Sequence, residues 1–345
     1  MTPKIFITGV TGYIAGDAFH LLHQKHPEYE YTVLVRSQEN IDVVKKHYPS
    51  VQIVLGDLDN FELLKSQAAK ADIVLHAADA SDHEGAARAI ASGLIEGNSR
   101  NRPGYWLHTG GTGILTWEDT KYGRLGLSSE KIYNDWEGIG ELTSLPDEAF
   151  HRNVDKIVLE VGSKASDSVK TVIIAPPTIY GNGRGPVSGR GRQVYELSKL
   201  VLTKQYTPII GQGKARWNNV HIHDLSELYL LLTEAAVKGN VDKELWGDRG
   251  YLIVENGEHV WSDLARAVGR AAISLGYLQS AEEKALSKGQ ALETAGFEAV
   301  SWGLNSRARG ERATKLLGWK PKENGIFDEI SAIVKAEHDR LQTSV

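Results

Sequence analysis

The stretch Lys4-Ile5-Phe6-Ile7-Thr8-Gly9-Val10-Thr11-Gly12-Tyr13-Ile14-Ala15-Gly16 decides the fold. A short apolar strand runs into glycines and then into a helix. In this turn Gly9 permits the tight bend, Gly12 lets the backbone approach a pyrophosphate, and Ala15 sits where close helix–strand packing wants a small residue. The amides that open the helix at Tyr13 and Ile14 face the phosphates, with the helix dipole behind them. Glycines alone are weak evidence, but a strand before them and a helix after them are the context that a dinucleotide cradle requires. Gly9, Thr11, Gly12, Tyr13 and Ile14 are therefore candidate cofactor contacts.

Further short apolar runs alternate with helix-like stretches: Tyr31 to Val35, Val51 to Leu55, Ile73 to His76, Trp106 to Thr109 and Thr171 to Ala175. Continuous apolar runs suit strands buried on both faces, so the fold expected is α/β, a Rossmann-type doubly wound parallel sheet. Residues 1–180 form mainly the dinucleotide-binding domain. Residues 181–345 form a smaller, mixed substrate-binding lobe interleaved with it, because segment 217–250 returns to the core. From about Tyr251 the chain reads as lobe, with helical spacing in Trp261 to Leu275 and Phe327 to Leu341. Ile114 to Phe150 is too long for an ordinary connection. Its Trp117, Tyr122, Tyr133 and Trp136 suit either a lid over a flat ligand or a surface loop anchored by its aromatics.

The chain of 345 residues is 41% hydrophobic, enough for a large core. With 39 Lys+Arg against 44 Asp+Glu the formal charge is -5, and no basic block suggests nucleic acid as a partner. The absence of cysteine excludes disulfides, thiolate metal sites and a thiol nucleophile. No charged-then-apolar leader precedes the first strand, and no apolar run approaches the ~20 residues of a membrane span. The expectation is a soluble, cytoplasmic protein that acts on a small molecule.

The end of the second strand carries Arg36 and Ser37, where an acidic residue would hold the ribose 2′-hydroxyl of NAD. The arginine fork suits a 2′-phosphate, so NADP(H) is favoured over NAD(H).

The Thr-Gly-x-x-Gly-x-x-Ala turn resembles that of the extended short-chain dehydrogenase/reductase superfamily, the group of the epimerases, dehydratases and dihydroflavonol-type reductases. Other landmarks follow in order. Gly56-Asp57-Leu58 resembles the adenine-contacting segment, and His76-Ala77-Ala78 the motif beside the adenosine ribose. Ala175-Pro176-Pro177-Thr178-Ile179-Tyr180-Gly181 is similar to the proline-rich turn under the nicotinamide. Asn219-Val220-His221-Ile222-His223-Asp224-Leu225 and Leu316-Leu317-Gly318-Trp319-Lys320-Pro321 resemble two C-terminal signatures. The resemblance implies cofactor contacts from Asp57, Leu58, Ala77, Ala78, Thr109, Pro176 and Ile179, and dimerisation through two helices as a common arrangement.

The same resemblance implies a Tyr-x-x-x-Lys helix and a hydroxyl after the fifth strand. The matching helix reads Phe150-His151-Arg152-Asn153-Val154-Asp155-Lys156, with the lysine kept and Arg152 in the tyrosine's place. Four-residue spacing puts Arg152 and Lys156 on one face. Lys156 is expected to hold the ribose, and Arg152, which stays protonated, to polarise a carbonyl or clamp an anion. Thr112 is the candidate substrate-orienting hydroxyl, beside Thr109. His151 is a candidate acid, with Asp155 four residues on as its partner; Tyr133 and Tyr122 are others.

His221 and His223 alternate on an extended segment, but no third nitrogen or carboxylate stands at a spacing that completes a site, so no metal is expected. Asp224 reads as a helix N-cap. The arginines of Gly183 to Arg192, and the cluster Asn305, Arg307, Arg309 and Arg312, suit either an anionic ligand or solvent. The function expected is an NADP(H)-dependent oxidoreductase with a non-standard active site, reducing a carbonyl or another unsaturated small molecule. The alternatives are a redox sensor that binds NADP(H) without turnover, as NmrA-like members do, and a cofactor-assisted isomerase or epimerase.

Overall fold

A computed structural model describes residues 2–343. In its first half β1 (Lys4–Thr8), α1 (Tyr13–Lys25), β2 (Glu30–Val35), α2 (Gln38–His47), β3 (Gln52–Leu55), α3 (Phe61–Lys70), β4 (Ile73–His76), α4 (Glu84–Gly97) and β5 (Gly104–Thr109) alternate without interruption. The long connection carries α5 (Trp117–Tyr122), β6 (Tyr133–Asn134) and α6 (Ile139–Thr143), and leads into α7 (Arg152–Lys164) and β7 (Val169–Ala175). There follow β8 (Thr178–Tyr180), α8 (Gln193–Lys204), β9 (Tyr206–Ile210), β10 (Arg216–His221), α9 (Ile222–Val237), β11 (Tyr251–Ile253), β12 (Glu258–Val260) and α10 (Trp261–Ser274). The chain closes with β13 (Glu282–Leu286), α11 (Lys288–Ser301), β14 (Ala308–Arg309), α12 (Arg312–Leu317) and α13 (Ile326–Thr343).

Seven strands form one sheet in the order β11-β7-β5-β4-β1-β2-β3, with parallel pairing throughout. The order reverses between β1 and β4, which opens a crevice at the carboxyl ends of those strands. One face of the sheet packs on α1, α2 and α9 through Phe19, Leu22, Leu225 and Leu228, and the other on α3, α4 and α7 through Leu64, Ile90, Val154 and Val158. A third core, around Trp261, Trp302, Leu264 and Val334, belongs to the C-terminal lobe.

Tyr251–Ile253, expected in the lobe, is instead the edge strand of the main sheet, paired with Ile173–Ala175. The connection 114–150 is a wedge rather than a lid. Asp119 accepts hydrogen bonds from the Asn305 amide and side chain, both at 2.7 Å. Asp135 accepts from the main-chain amides of Ile253, Glu311 and Arg312. Trp136 lies beneath the cations of Arg312 and Lys315. These bonds hold the wedge against the sheet edge and the C-terminal segment and engage its polar groups there.

Candidate functional site

The glycine turn has the geometry of a phosphate cradle. Gly9 has φ +87°, and a Cβ there would stand 2.9 Å from the Ala78 amide nitrogen, so this position requires glycine. Gly12 is the N-cap of α1 and no side chain caps it, which leaves the opening amides of a helix free for an anion. The small residue needed for close packing is Gly16 as well as Ala15: a Cβ on Gly16 would lie 3.0 Å from the Val10 carbonyl and 3.2 Å from Gly185 Cα. Fully buried Asp17 ties that approach together, accepting from the Arg184 amide and guanidinium and from the Ser226 hydroxyl. Burial works to raise its pKa, but the bonds to Arg184 and Ser226 outweigh burial and hold it below the ordinary value.

The turn opens into a cavity of about 470 Å³. Gly12, Tyr13, Ile14, Ala77, Thr109, Pro176 and Ile179 all line it. Gly9 and Ala78 form the turn beneath. Thr8 shares a 2.7 Å hydrogen bond with His76 Nδ1, and its hydroxyl oxygen also accepts the amides of Ala77 and Ala78. That clamps the two loops flanking the crevice. Asp57 accepts the amides of Asp59 and Asn60 and so shapes the turn after β3, and Leu58 packs on the core. Arg36 is exposed at the end of β2. Thr109 contributes its backbone side to the cavity, since its hydroxyl is bonded to Tyr229 at 2.6 Å.

The helix expected to carry the chemistry is turned away. His151 adopts a left-handed conformation (φ 69°, ψ -8°), so α7 begins only at Arg152. Arg152 and Lys156 do share a face, but it looks toward residues 143–147. Arg152 donates to the Thr143 carbonyl at 3.0 Å, and Lys156 pairs with Asp147 at 2.8 Å. Neither lines the cavity. Thr112 is buried with its hydroxyl unpartnered, also off the cavity; from the same segment it is Thr116 that lines the wall, and its side chain donates to the Gly113 carbonyl at 2.7 Å. Tyr133 is buried beneath Trp117, and Tyr122 is exposed; both lie off the cavity lining.

His151 does line the cavity. Its partner is Asp82, 2.7 Å from Nδ1, and not Asp155. Burial acts to raise Asp82, but the hydrogen bond and charge of His151 overcome it and keep the carboxyl below its usual range. His151 Nε2 faces the glycine segment after β5: Cβ atoms at Gly111 and Gly113 would stand 3.7 and 3.3 Å from it. Asp155 is fully buried, accepts a 3.0 Å bond from the Tyr251 hydroxyl, and is pushed up to about 6 by burial. On β5, buried His108 is held well below the ordinary histidine value by burial and then by the nearby His76.

Asp82 escaped the sequence reading because no motif marks it. Its place after β4, beside the strand-order reversal, was the available signal. Folding also supplies what spacing could not at His221 and His223, since Glu323 comes within 4.8 Å of both. His221 Nδ1 accepts the His223 amide and His223 Nε2 bonds the Asn182 carbonyl. The loop arginines are committed: Arg184 to Asp17, Arg190 to Glu337 and Arg192 to Glu298. In the second cluster Arg307 pairs with Glu258, and buried Arg312 with Glu244.

The sequence profile of the NAD dependent epimerase/dehydratase family matches residues 5–100, the stretch that holds the cradle, Arg36 and Asp82. Oxidase ucsJ of Acremonium sp is 40% identical across the whole of both chains. The chain belongs to the NAD dependent epimerase/dehydratase family. An uncharacterized protein of Saccharomyces cerevisiae is 25% identical over 95% of this chain and 98% of its own. Among solved structures, dTDP-glucose 4,6-dehydratase from Bacillus anthracis in complex with NAD shares the fold, with TM-score 0.66 and 14% identity over 99% of this chain and 98% of that one. An epimerase/dehydratase family member binds a nicotinamide dinucleotide, and the uncapped α1 amides, the glycine at Gly9 and the adjoining cavity fit such a group. Among the described residues no helix is long and apolar enough to cross a membrane.

Proposed function

We propose that the protein is an NADP(H)-dependent oxidoreductase in which His151, rather than a helix tyrosine, exchanges the proton on the substrate oxygen. The observation that carries this reading is the position of His151 on the cavity wall, with Nδ1 tied to Asp82. That bond fixes the ring and leaves Nε2 to face the cavity, the arrangement of a general acid or base whose second nitrogen is oriented by a carboxylate. In reduction the ring gives its proton to the substrate oxygen, with Asp82 bonded behind it at Nδ1. In the reverse direction Nε2 accepts it.

When bound, the cofactor's contribution is the gain or loss of a hydride at the substrate carbon. Gly12, Tyr13 and Ile14 would hold its pyrophosphate, Ala77 its adenosine side, and Pro176 and Ile179 the nicotinamide end. Arg36 has no ion pair among the described residues, and its guanidinium is available to a 2′-phosphate. Lys156 and Arg152 have no part in this scheme, because neither lines the cavity: Lys156 is paired with Asp147, and Arg152 is buried against the Thr143 carbonyl.

The test is NADPH consumption with a panel of small carbonyl compounds, comparing the native protein with His151→Asn. A loss of about 100-fold or more in kcat/KM is expected. Unchanged turnover in the variant would remove His151 from the chemistry, and tight NADPH binding with no turnover of any carbonyl would favour the sensor.

A further inference from the structure

We infer that this cavity takes an uncharged substrate with a flat aromatic or conjugated face, and that Phe297 selects it. The inference rests on the oxidoreductase reading for where reaction occurs, and on the cavity itself for what binds.

Two phenyl rings flank the entrance beyond His151. Phe150 and Phe297 line the cavity with ring centroids 5.4 Å apart at 52°, and they remain 42% and 49% exposed. Half-exposed rings at a cavity offer apolar faces that a flat ligand would cover, gaining both buried area and ring–ring geometry. Phe150 also lies against the His151 imidazole, centroids 3.7 Å apart, so a ring held there abuts the proposed acid. Trp217 extends the same wall.

Phe297 reaches this wall through a break in its helix. Within α11, Ala295 (φ -150°, ψ 29°) and Gly296 (φ 61°, ψ -150°) leave helical geometry. Nothing lies within 4 Å of where a Gly296 Cβ would be, so glycine serves the backbone there and not packing. The residues that follow the break, Phe297 and Glu298, both face the cavity.

The charges at this end of the cavity weigh against an anionic substrate. Two cations line the cavity, Arg190 and Arg192. Arg190 is bonded by Glu337 at 2.6 and 3.0 Å and by Glu196 at 2.8 Å, and Arg192 by Glu298 at 2.8 Å. Asp79 and Asp82 add carboxylates to the same lining. Beyond the cradle of Gly12, Tyr13 and Ile14, an anionic substrate group would meet arginines already paired and the carboxylate of Asp79, whereas an uncharged ring system meets neither.

The probe is 6-propionyl-2-(dimethylamino)naphthalene, a neutral aromatic ketone whose emission shifts to the blue in apolar surroundings, titrated into the full chain with NADPH present. Saturable blue-shifted emission is expected. Kd should rise about ten-fold in Phe297→Ala, less in Phe297→Leu, and stay unchanged in Phe327→Ala, an exposed ring on α13. UDP-glucose at millimolar concentration should not displace the probe. Absence of saturable binding, equal affinity in Phe297→Ala, or displacement by UDP-glucose would overturn the inference. His151→Asn keeps the two readings apart: it should bind the probe normally while losing turnover. Retained turnover in that variant refutes the acid and leaves the substrate class standing.

Discussion

His151 Nδ1 lies 2.7 Å from Asp82 Oδ1, joining the residue that precedes α7 to the loop that follows β4. The bond spans 69 positions of sequence, so neither segment can shift without misplacing the ring. In Asp82→Asn the geometry survives in part, but the charge-assisted bond that orients the ring is weakened. A fall in kcat of about ten-fold is expected, smaller than for His151→Asn. Stopped-flow or steady-state NADPH oxidation by the two variants measures it.

Cofactor choice should follow Arg36. Arg36→Asp removes the fork available to a 2′-phosphate and places a carboxylate where a ribose hydroxyl can use it. Calorimetric titration should show NADPH affinity falling by about ten-fold or more, with NADH affinity equal or improved. An unchanged NADPH affinity would send the phosphate elsewhere.

Lys156→Ala should be nearly silent. The ammonium is about half exposed and paired with a still more exposed Asp147, the kind of surface pair that solvent screens. Turnover and cofactor affinity are expected to stay within about two-fold of the native values. A large loss of NADPH affinity would mean that α7 re-orients on binding.

Helices α3 and α4 approach through Gly93 and Gly97, where Cβ atoms would meet the Lys65 and Ala69 carbonyl oxygens at 2.2 and 1.9 Å. Because those neighbours are backbone, a methyl group must push the helices apart. Gly93→Ala should cost about 1–3 kcal/mol, the usual penalty of overpacking, visible as a lower urea midpoint with unchanged NADPH affinity per folded molecule.

Asp155 gives stability a pH dependence of known sign. Its carboxyl titrates at about 6 in the folded chain, against about 3.9 when unfolded. Its contribution is therefore fully present below about 3.9 and is lost as pH rises through about 6, a change on the order of 3 kcal/mol. Asp155→Asn keeps an acceptor for the Tyr251 hydroxyl and abolishes this loss. Urea unfolding at pH 4.5 and 7 should show the variant gaining on the native protein at the higher pH.

The six strands from Ile5 to Ala175 were legible because each is a continuous apolar run bounded by a turn. The seventh was not, since the three residues Tyr251–Ile253 are too few to show a period. Asp224 shows how a correct residue type misleads. It resembles an N-cap, but His221 accepts the His223 amide and starts α9 earlier, freeing the Asp224 carboxylate to accept the amides of Lys322 and Glu323. In α7 the spacing of Arg152 and Lys156 determined their shared face, but spacing carries no information about which way that face looks. Aromatic content likewise cannot separate a lid from a wedge: Trp117 and Tyr133 serve the second because Asp119 and Asp135 reach partners in the C-terminal third.

The positive φ of His151 has a consequence for how this protein can change. A group placed inside a helix is locked in phase with every residue that helix packs, so altering it disturbs the scaffold. His151 stands one step outside: its carbonyl accepts the first amides of α7, but its side chain leaves from a left-handed bend and not from the helix face. The chain can therefore exchange the side chain that meets its ligand, by mutation or by design, while Val154, Ile157 and Val158 go on gripping the sheet undisturbed.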